Sequence, residues 1–270
     1  MGAALRTEYR KLVTTRLWWI LLLAMVGYMA FLSAIMAWGV TSGGGMAGAG
    51  EGSDDLALPP DAVVRAVYTI AVTFGYVFPL VVGALSVASE FRHQTITPTL
   101  LAEPRRSVVV GAKVLSGGAL GLVFGVVGTA AAAGAGALVL LALGKPTFLD
   151  HGSTWQTLAL SAAALALWAV AGVGFGAVLP NQVAVVVVVL AFTQFVEPVL
   201  RFVLAFTSWG EDVAKLLPGA AGEAMSGGSF YSESGLVELL EPWQGAVVLA
   251  AYGLGLAVIG RFTTFRRDIT

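Results

Sequence analysis

Residues 89–113 read SEFRHQTITPTLLAEPRRSVVVGAK, a polar, basic island between two long apolar runs. It carries Glu90, Arg92, His93, Arg105, Arg106 and Lys113, with prolines at Pro98 and Pro104. Thr97 before Pro98 has the form of an N-cap and a first helical residue, where proline's missing N–H does no harm. Pro104 cannot continue a helix and so ends one. The island therefore predicts a short helix between two membrane spans. Two readings of it stand: a helix that a partner protein grips, or a solvated loop whose basic residues only set membrane orientation.

Outside the island the chain is strongly apolar. Of its 270 residues 57% are hydrophobic and 11% charged, and the mean hydropathy is +0.85. A soluble domain of this size needs far more charge on its surface. Apolar runs of about 18 residues or more read as membrane spans, which makes this an all-α integral membrane protein. Six spans are expected, over 17–40, 63–88, 114–143, 155–179, 183–206 and 243–262, in a single transmembrane unit. Cysteine is absent, which removes disulfides, thiolate metal sites and a cysteine nucleophile.

Residues 1–16 precede the first span. Leu5, Tyr9, Leu12, Val13 and Arg16 recur at helical spacing, with Arg6, Arg10, Lys11 and Thr14 elsewhere, so an amphipathic helix in the membrane interface is expected. A signal peptide is the rival reading, but the apolar run that follows is longer than an h-region of about 7–15 residues. Trp18, Trp19 and Trp38 mark the two interfaces of the first span. The run TSGGGMAGAGEGSDDLALPPD (41–61) reads as a flexible loop, and Asp61 and Arg65 are spaced to pair on one helix face. Pro79 should kink the second span, either as a gating hinge or as ordinary membrane-helix irregularity. Gly117, Gly121 and Gly125 in the third span, and Gly172 and Gly176 in the fourth, form small-residue faces for close helix packing. Between 208 and 243, apolar patches at Leu216-Leu217 and Leu236 to Leu240 predict short re-entrant helices.

Basic residues orient the chain. Arg6, Arg10, Lys11, Arg16, Arg92, Arg105, Arg106, Lys113, Arg261, Arg266 and Arg267 fall on one side, against Arg65, Lys145, Arg201 and Lys215 on the other. The positive-inside rule then places both termini and the island in the cytoplasm.

Motifs for chemistry are sparse. Gly144-Lys145 is followed by Pro146, and Val139 stands where a phosphate loop needs its first glycine. Neither His93 nor His151 lies in a span, no span contains an aspartate, and no ligand cluster suits a metal. Gly227-Gly228-Ser229 is a weak match to a serine-protease motif. No catalytic residue, no resident cofactor and no nucleic-acid partner are expected. One ionisable pair lies inside a span: Glu197 and Arg201, with Pro198 between them. A charge in lipid is a functional hypothesis by default. A structural salt bridge, or a span ending near Glu197, explains the pair as well.

Taken together, these stretches resemble the permease subunit of an ABC-2 type exporter. LRTEYRKLVTTRLWW is similar to that family's interfacial elbow helix. SEFRHQTITPTLLAEPRRSVVVGAK is similar to its loop between the second and third spans, through Glu90-Phe91-Arg92, Thr95-Ile96, Leu100-Leu101, Pro104-Arg105-Arg106 and Lys113. LLPGAAGEAM and the closing FRRDIT add support. The resemblance implies a plasma-membrane permease working as a homo- or heterodimer in lipid. ATP and Mg would be bound by a separate ATP-binding subunit. It also implies a coupling helix over Glu90 to Glu103, with Glu90, Phe91, Arg92, His93, Thr95, Ile96, Leu100 and Glu103 at the partner interface. Pro79, Glu197 and Arg201 are candidate gating residues. Two other classes remain: a proton-coupled secondary transporter, for which Glu197 is the one candidate acid, and a non-transporting regulatory membrane protein.

Overall fold

Four long apolar runs form long helices because their backbone polar groups must be satisfied within each segment. The computed structural model describes residues 1–42, 59–207, 209–233 and 238–266, and these are all helix, turn or irregular chain. The loop expected at 41–61, the Leu236 end of the second patch and most of FRRDIT lie largely outside the described residues.

A short helix, α1 (Gly2–Thr14), turns at Thr15 into α2 (Leu17–Thr41). The second expected span is divided into α3 (Pro60–Tyr68), α4 (Ile70–Thr73) and α5 (Val77–Arg92). Then come α6 (Ile96–Ala102), α7 (Arg106–Ala142) and α8 (Gly152–Val178). The fifth expected span is α9 (Gln182–Ala191), a π turn (Phe192–Val196) and α10 (Glu197–Leu204). Three short helices follow: α11 (Gly210–Ala214), α12 (Pro218–Met225) and α13 (Phe230–Glu233). The last helix, α14 (Pro242–Phe262), runs on into a 3₁₀ turn at Thr264–Arg266. Among the described residues, five helical stretches are long and apolar enough to cross a membrane: Leu17–Thr41, Arg106–Ala142, Gly152–Val178, Gln182–Leu204 and Pro242–Arg266. The chain thus has the architecture of a multi-pass membrane protein.

The second expected span departs from a single kinked helix. The break lies at Phe74–Tyr76 instead of at Pro79, which sits harmlessly in the first turn of α5. Thr69 Oγ1 donates to the Arg65 carbonyl at 2.8 Å, a back-bond that bends helices. Gly75 supplies the second reason. A Cβ there would lie 2.5 Å from the Ala71 carbonyl oxygen and 2.7 Å from Met29 Sδ, so the break needs glycine to fold back on its own chain and pack against α2.

α8 is the centre of the bundle, with 61% of its apolar window buried against 22–44% for the other four stretches. It packs on α5, α7 and α14. The glycine faces read from the sequence explain how. Gly117, Gly121 and Gly125 of α7 meet Val173, Ala169 and Ala162 of α8, while Gly172 and Gly176 of α8 meet Leu80 and Ala84 of α5. Added side chains would strike backbone carbonyls at Gly125, Gly172 and Gly176, and the side chains of Val173 and Ala169 at Gly117 and Gly121, so both interfaces depend on bare backbone at these points.

α7 has 37 residues, about 55 Å at 1.5 Å each, well beyond a hydrocarbon core of about 30 Å. Its first turns, Arg106 to Lys113, therefore project past the expected start of the third span and form a platform for α1 and α6. At the other end Arg65 pairs with Asp61 as its spacing implied, and also with Glu233 of α13, each at 2.9 Å. The Leu216-Leu217 patch is the link before Pro218, and not a helix. The helix forms over PGAAGEAM, every residue of which is buried.

Gly172→Leu should destabilise the bundle by about 1–3 kcal/mol or more, because the Leu80 carbonyl cannot move aside. Gly134→Leu, at an exposed position with nothing near its would-be Cβ, should change stability by no more than about 0.5 kcal/mol. Unfolding of both variants in the same detergent measures the difference.

Candidate functional site

Two polar constellations stand out, one at each end of α5. The first lies at the α6 end. Lys113 of α7 donates to Glu8 Oε2 of α1 at 2.9 Å and to Glu90 Oε1 of α5 at 2.7 Å. Lys11 of α1 donates to the same two residues, at 2.9 and 2.8 Å, and to Thr99 Oγ1 of α6 at 3.0 Å. Two cations and two carboxylates thus tie four helices together. The Lys113 side chain is 1% exposed and those of Glu8 and Glu90 5% and 6%. Such charges persist away from water only because each has a partner. Burial lowers the pKa of Lys11, but its hydrogen bonds and attraction to Glu90 and Glu8 outweigh this and raise it.

α6 starts at Ile96 after an N-cap at Thr95, two residues earlier than Thr97–Pro98 suggested, and ends before Pro104 as expected. Gln94, in the left-handed region at φ 55°, makes the sharp turn out of α5, and the Thr95 N–H closes it on the Glu90 carbonyl at 2.9 Å. This turn decides which of the expected partner contacts face outward. Glu90 and Ile96 are buried. Phe91 packs edge-on against Phe265 at 5.5 Å, and Leu100 lies against the same apolar cluster with Val109 and Val110. Ile96 and Leu100 thus anchor α6 within the chain, and Glu90 and Phe91 anchor the end of α5 that leads into it. Arg92, His93 and Thr95 are exposed, with Arg92 donating to Gln182 Oε1 at 3.1 Å. Glu103 pairs with Arg105 at 2.9 Å, and the hydrogen bond from that guanidinium holds its carboxyl below the usual range. The large apolar side chain that α6 presents outward is that of Leu101, 78% exposed.

The second constellation lies at the far end of α5, around the π turn. Glu197 is buried, and its Oε1 accepts from Arg201 Nη2 (2.7 Å) and Nε (3.2 Å) and from the N–H groups of Gly219 (2.7 Å) and Ala220 (3.3 Å). The expected pair is present, and it is a triad. Arg201 Nη1 donates to Glu223 Oε1 at 3.0 Å, and Ser229 Oγ donates to Glu223 Oε2 at 2.6 Å. Ser229, noticed in the sequence only as part of a weak protease motif, serves this carboxylate. Gly227 and Gly228, at φ 81° and 153°, shape the turn that brings it there. Tyr76, which caps the start of α5, stacks on Trp168 of α8 at 4.4 Å. Its hydroxyl accepts from Gln194 Nε2 at 2.8 Å and donates to the Thr193 carbonyl at 3.2 Å. Beside these groups is a cavity of about 900 Å³. Pro79 does not line it; the α5 break just before that residue does, through Phe74 and Tyr76.

Sequence reasoning missed Glu8 and Glu223. Each left a signal: Glu8 is the one acid in a basic, apolar helix, and Glu223 the one acid in the small-residue run PGAAGEAM. Among the described residues no group of three His, Cys, Asp or Glu side chains could hold a metal ion. Compared with known proteins, the chain matches no protein-family model and no curated sequence.

Lys113→Met would leave two buried carboxylates sharing one partly exposed lysine. It should cost about 3–5 kcal/mol of stability, measured by unfolding in detergent. The pH response follows from Lys11. Its pKa is raised on folding, so its contribution is complete below the ordinary lysine value of about 10.4 and is lost as pH rises through the folded value. A spin label on Arg6→Cys, the sole cysteine in that variant, should report a docked α1 at pH 7 to 9. Release should come only above the ordinary lysine range.

Proposed function

We propose that this chain is the membrane-spanning permease subunit of an ATP-driven exporter of the ABC-2 type. Two such subunits form the pathway in the plasma membrane, with both termini and α6 in the cytoplasm. α3 to α5 together make the second of six crossings. ATP and Mg belong to a separate ATP-binding subunit that docks on α6.

The observation that supports this best is the ionic node behind α6. A solvated loop needs no buried anchorage, whereas a helix that receives a push from a partner must be tied to what it moves. α6 is tied by Lys11, Ile96 and Leu100 to α1, α5 and α7. From there α5 is a continuous helix from the Glu90 carboxylate to Tyr76 at the cavity, about 14 residues or 21 Å. The break at Phe74–Tyr76 gives this lever a free end. A push on α6 thus moves α5 together with α8, on which it packs backbone to backbone, and displaces Tyr76 against Gln194 and Thr193, which opens the route. The basic residues clustered at the α6 end support the cytoplasmic placement.

Leu101→Asp should separate docking from folding, because Leu101 touches little within the chain. Losing one apolar anchor at a partner interface typically costs about 1–4 kcal/mol. Co-purification of the ATP-binding subunit from the native host should fall several-fold while the variant inserts and dimerises normally. Phe91→Ala should instead lower the stability of the chain itself. Full ATPase binding and transport by Leu101→Asp would contradict the proposal, as would transport driven by a pH gradient without ATP.

A further inference from the structure

The geometry points to the far-end cavity as a binding site for amphipathic organic cations. Its volume of about 900 Å³ lies in the range of about 300–1,000 Å³ typical of pockets for drug-sized molecules. Its charge is one-sided. Among the described residues, Glu197, Glu211, Glu223 and Glu238 line it against the single guanidinium of Arg201. Arg201 is already engaged by both Glu197 and Glu223, so the deep part of the cavity carries an excess carboxylate. Lys215 stands outside the lining and holds Glu238 at 2.9 Å, and counting it still leaves more acid than base.

Glu197 adds an independent observation. It lines the cavity at 2% exposure, and its two oxygens are unequal: Oε1 accepts every hydrogen bond the carboxylate makes, and Oε2 is buried with no partner. A buried carboxylate oxygen without a donor is costly, and the positive charge of a ligand in the adjoining cavity would offset part of that cost. The remaining walls suit the apolar part of such a molecule. Phe74, Phe202 and Tyr76 offer ring surface, and aromatic faces attract desolvated cations. An anionic amphiphile would meet the same apolar walls but the wrong charge.

The site stands on this chain alone. Only the further step, that what binds there is exported, rests on the exporter reading. The test therefore uses the purified full-length protein in nanodiscs without ATP or any ATP-binding subunit. The probes are tetraphenylphosphonium and tetraphenylborate, ions of nearly the same shape and opposite charge. Binding is measured by equilibrium dialysis, and uptake by nanodiscs lacking protein is subtracted. The cation should bind roughly tenfold or more tighter than the anion. Glu223→Gln should weaken the cation roughly tenfold and leave the anion unchanged or improved. If Glu223→Gln lowers the yield of folded protein, Glu211→Gln, exposed at the cavity mouth, should give a shift of about two- to threefold in the same direction. Phe202→Ala, exposed and outside the ion cluster, should weaken the cation through lost ring contact. Equal protein-dependent binding of the two ions would overturn the site, as would no shift in Phe202→Ala and the folded charge variant. Either result would leave the docking of α6 untouched.

Discussion

A lysine ammonium with almost no contact with water, Lys113, sits between two carboxylates from different helices. An unpaired charge in such a place costs several kcal/mol, so Glu8 and Glu90 must stay within reach of it. That requirement fixes α1 against α7 and the end of α5 against both. Lys11 carries it on to α6 through Thr99. The surrounding apolar cluster, with Val87, Ile96, Val109 and Phe265, provides non-directional attraction, and the ion pairs provide register. A one-residue slip of α1 would take Glu8 off the lysine, which apolar contacts alone would tolerate.

The opposite constraint governs the centre of the bundle. There the helices approach until backbone meets backbone, at Gly121 and Gly125 on one side of α8 and Gly172 and Gly176 on the other. Helices so closely packed move as bodies. Freedom is concentrated instead in the irregular backbone: the break between α4 and α5, and the π turn in the fifth span. The two irregularities face each other across the Tyr76–Gln194 and Tyr76–Thr193 hydrogen bonds beside the cavity. π turns recur at functional sites, since a helix widened by one residue re-aims the side chains after it. Here the residue that follows is Glu197.

Hydropathy made the spans legible, because length and apolarity are what the bilayer demands. Five of the six expected spans correspond to long helical stretches. The sixth, 63–88, was legible as apolar and not as broken, because Thr69 and Gly75 act through back-bonding and through contact with Met29, which periodicity does not register. The glycine spacing disclosed that faces pack closely, though not which helix each face meets. The Glu197–Arg201 pair could be read from an i,i+4 spacing; Glu223 could not, because its partner is brought by chain folding from 22 residues away. Both readings of the polar island around α6, a helix gripped by a partner or a solvated loop, place its charges at the surface, yet Glu90 and Lys113 are buried. Polarity marks a residue as needing a partner, and at 90 and 113 the partners are within the chain. Phe91, Ile96 and Leu100, apolar residues in a polar stretch, look like anchors for another protein, yet Phe91 packs the end of α5 on Phe265 and Ile96 and Leu100 hold α6 to its own bundle.

The central claim is that α6 delivers force from an ATP-binding protein into this node. Photocrosslinking in native membranes tests it most directly, with a crosslinking amino acid in place of Leu101 and identification of whatever is captured. The account predicts capture of an ATP-binding subunit, changing in yield when ATP is bound or depleted. Capture of lipid alone, or of no protein in membranes where transport is intact, would contradict it.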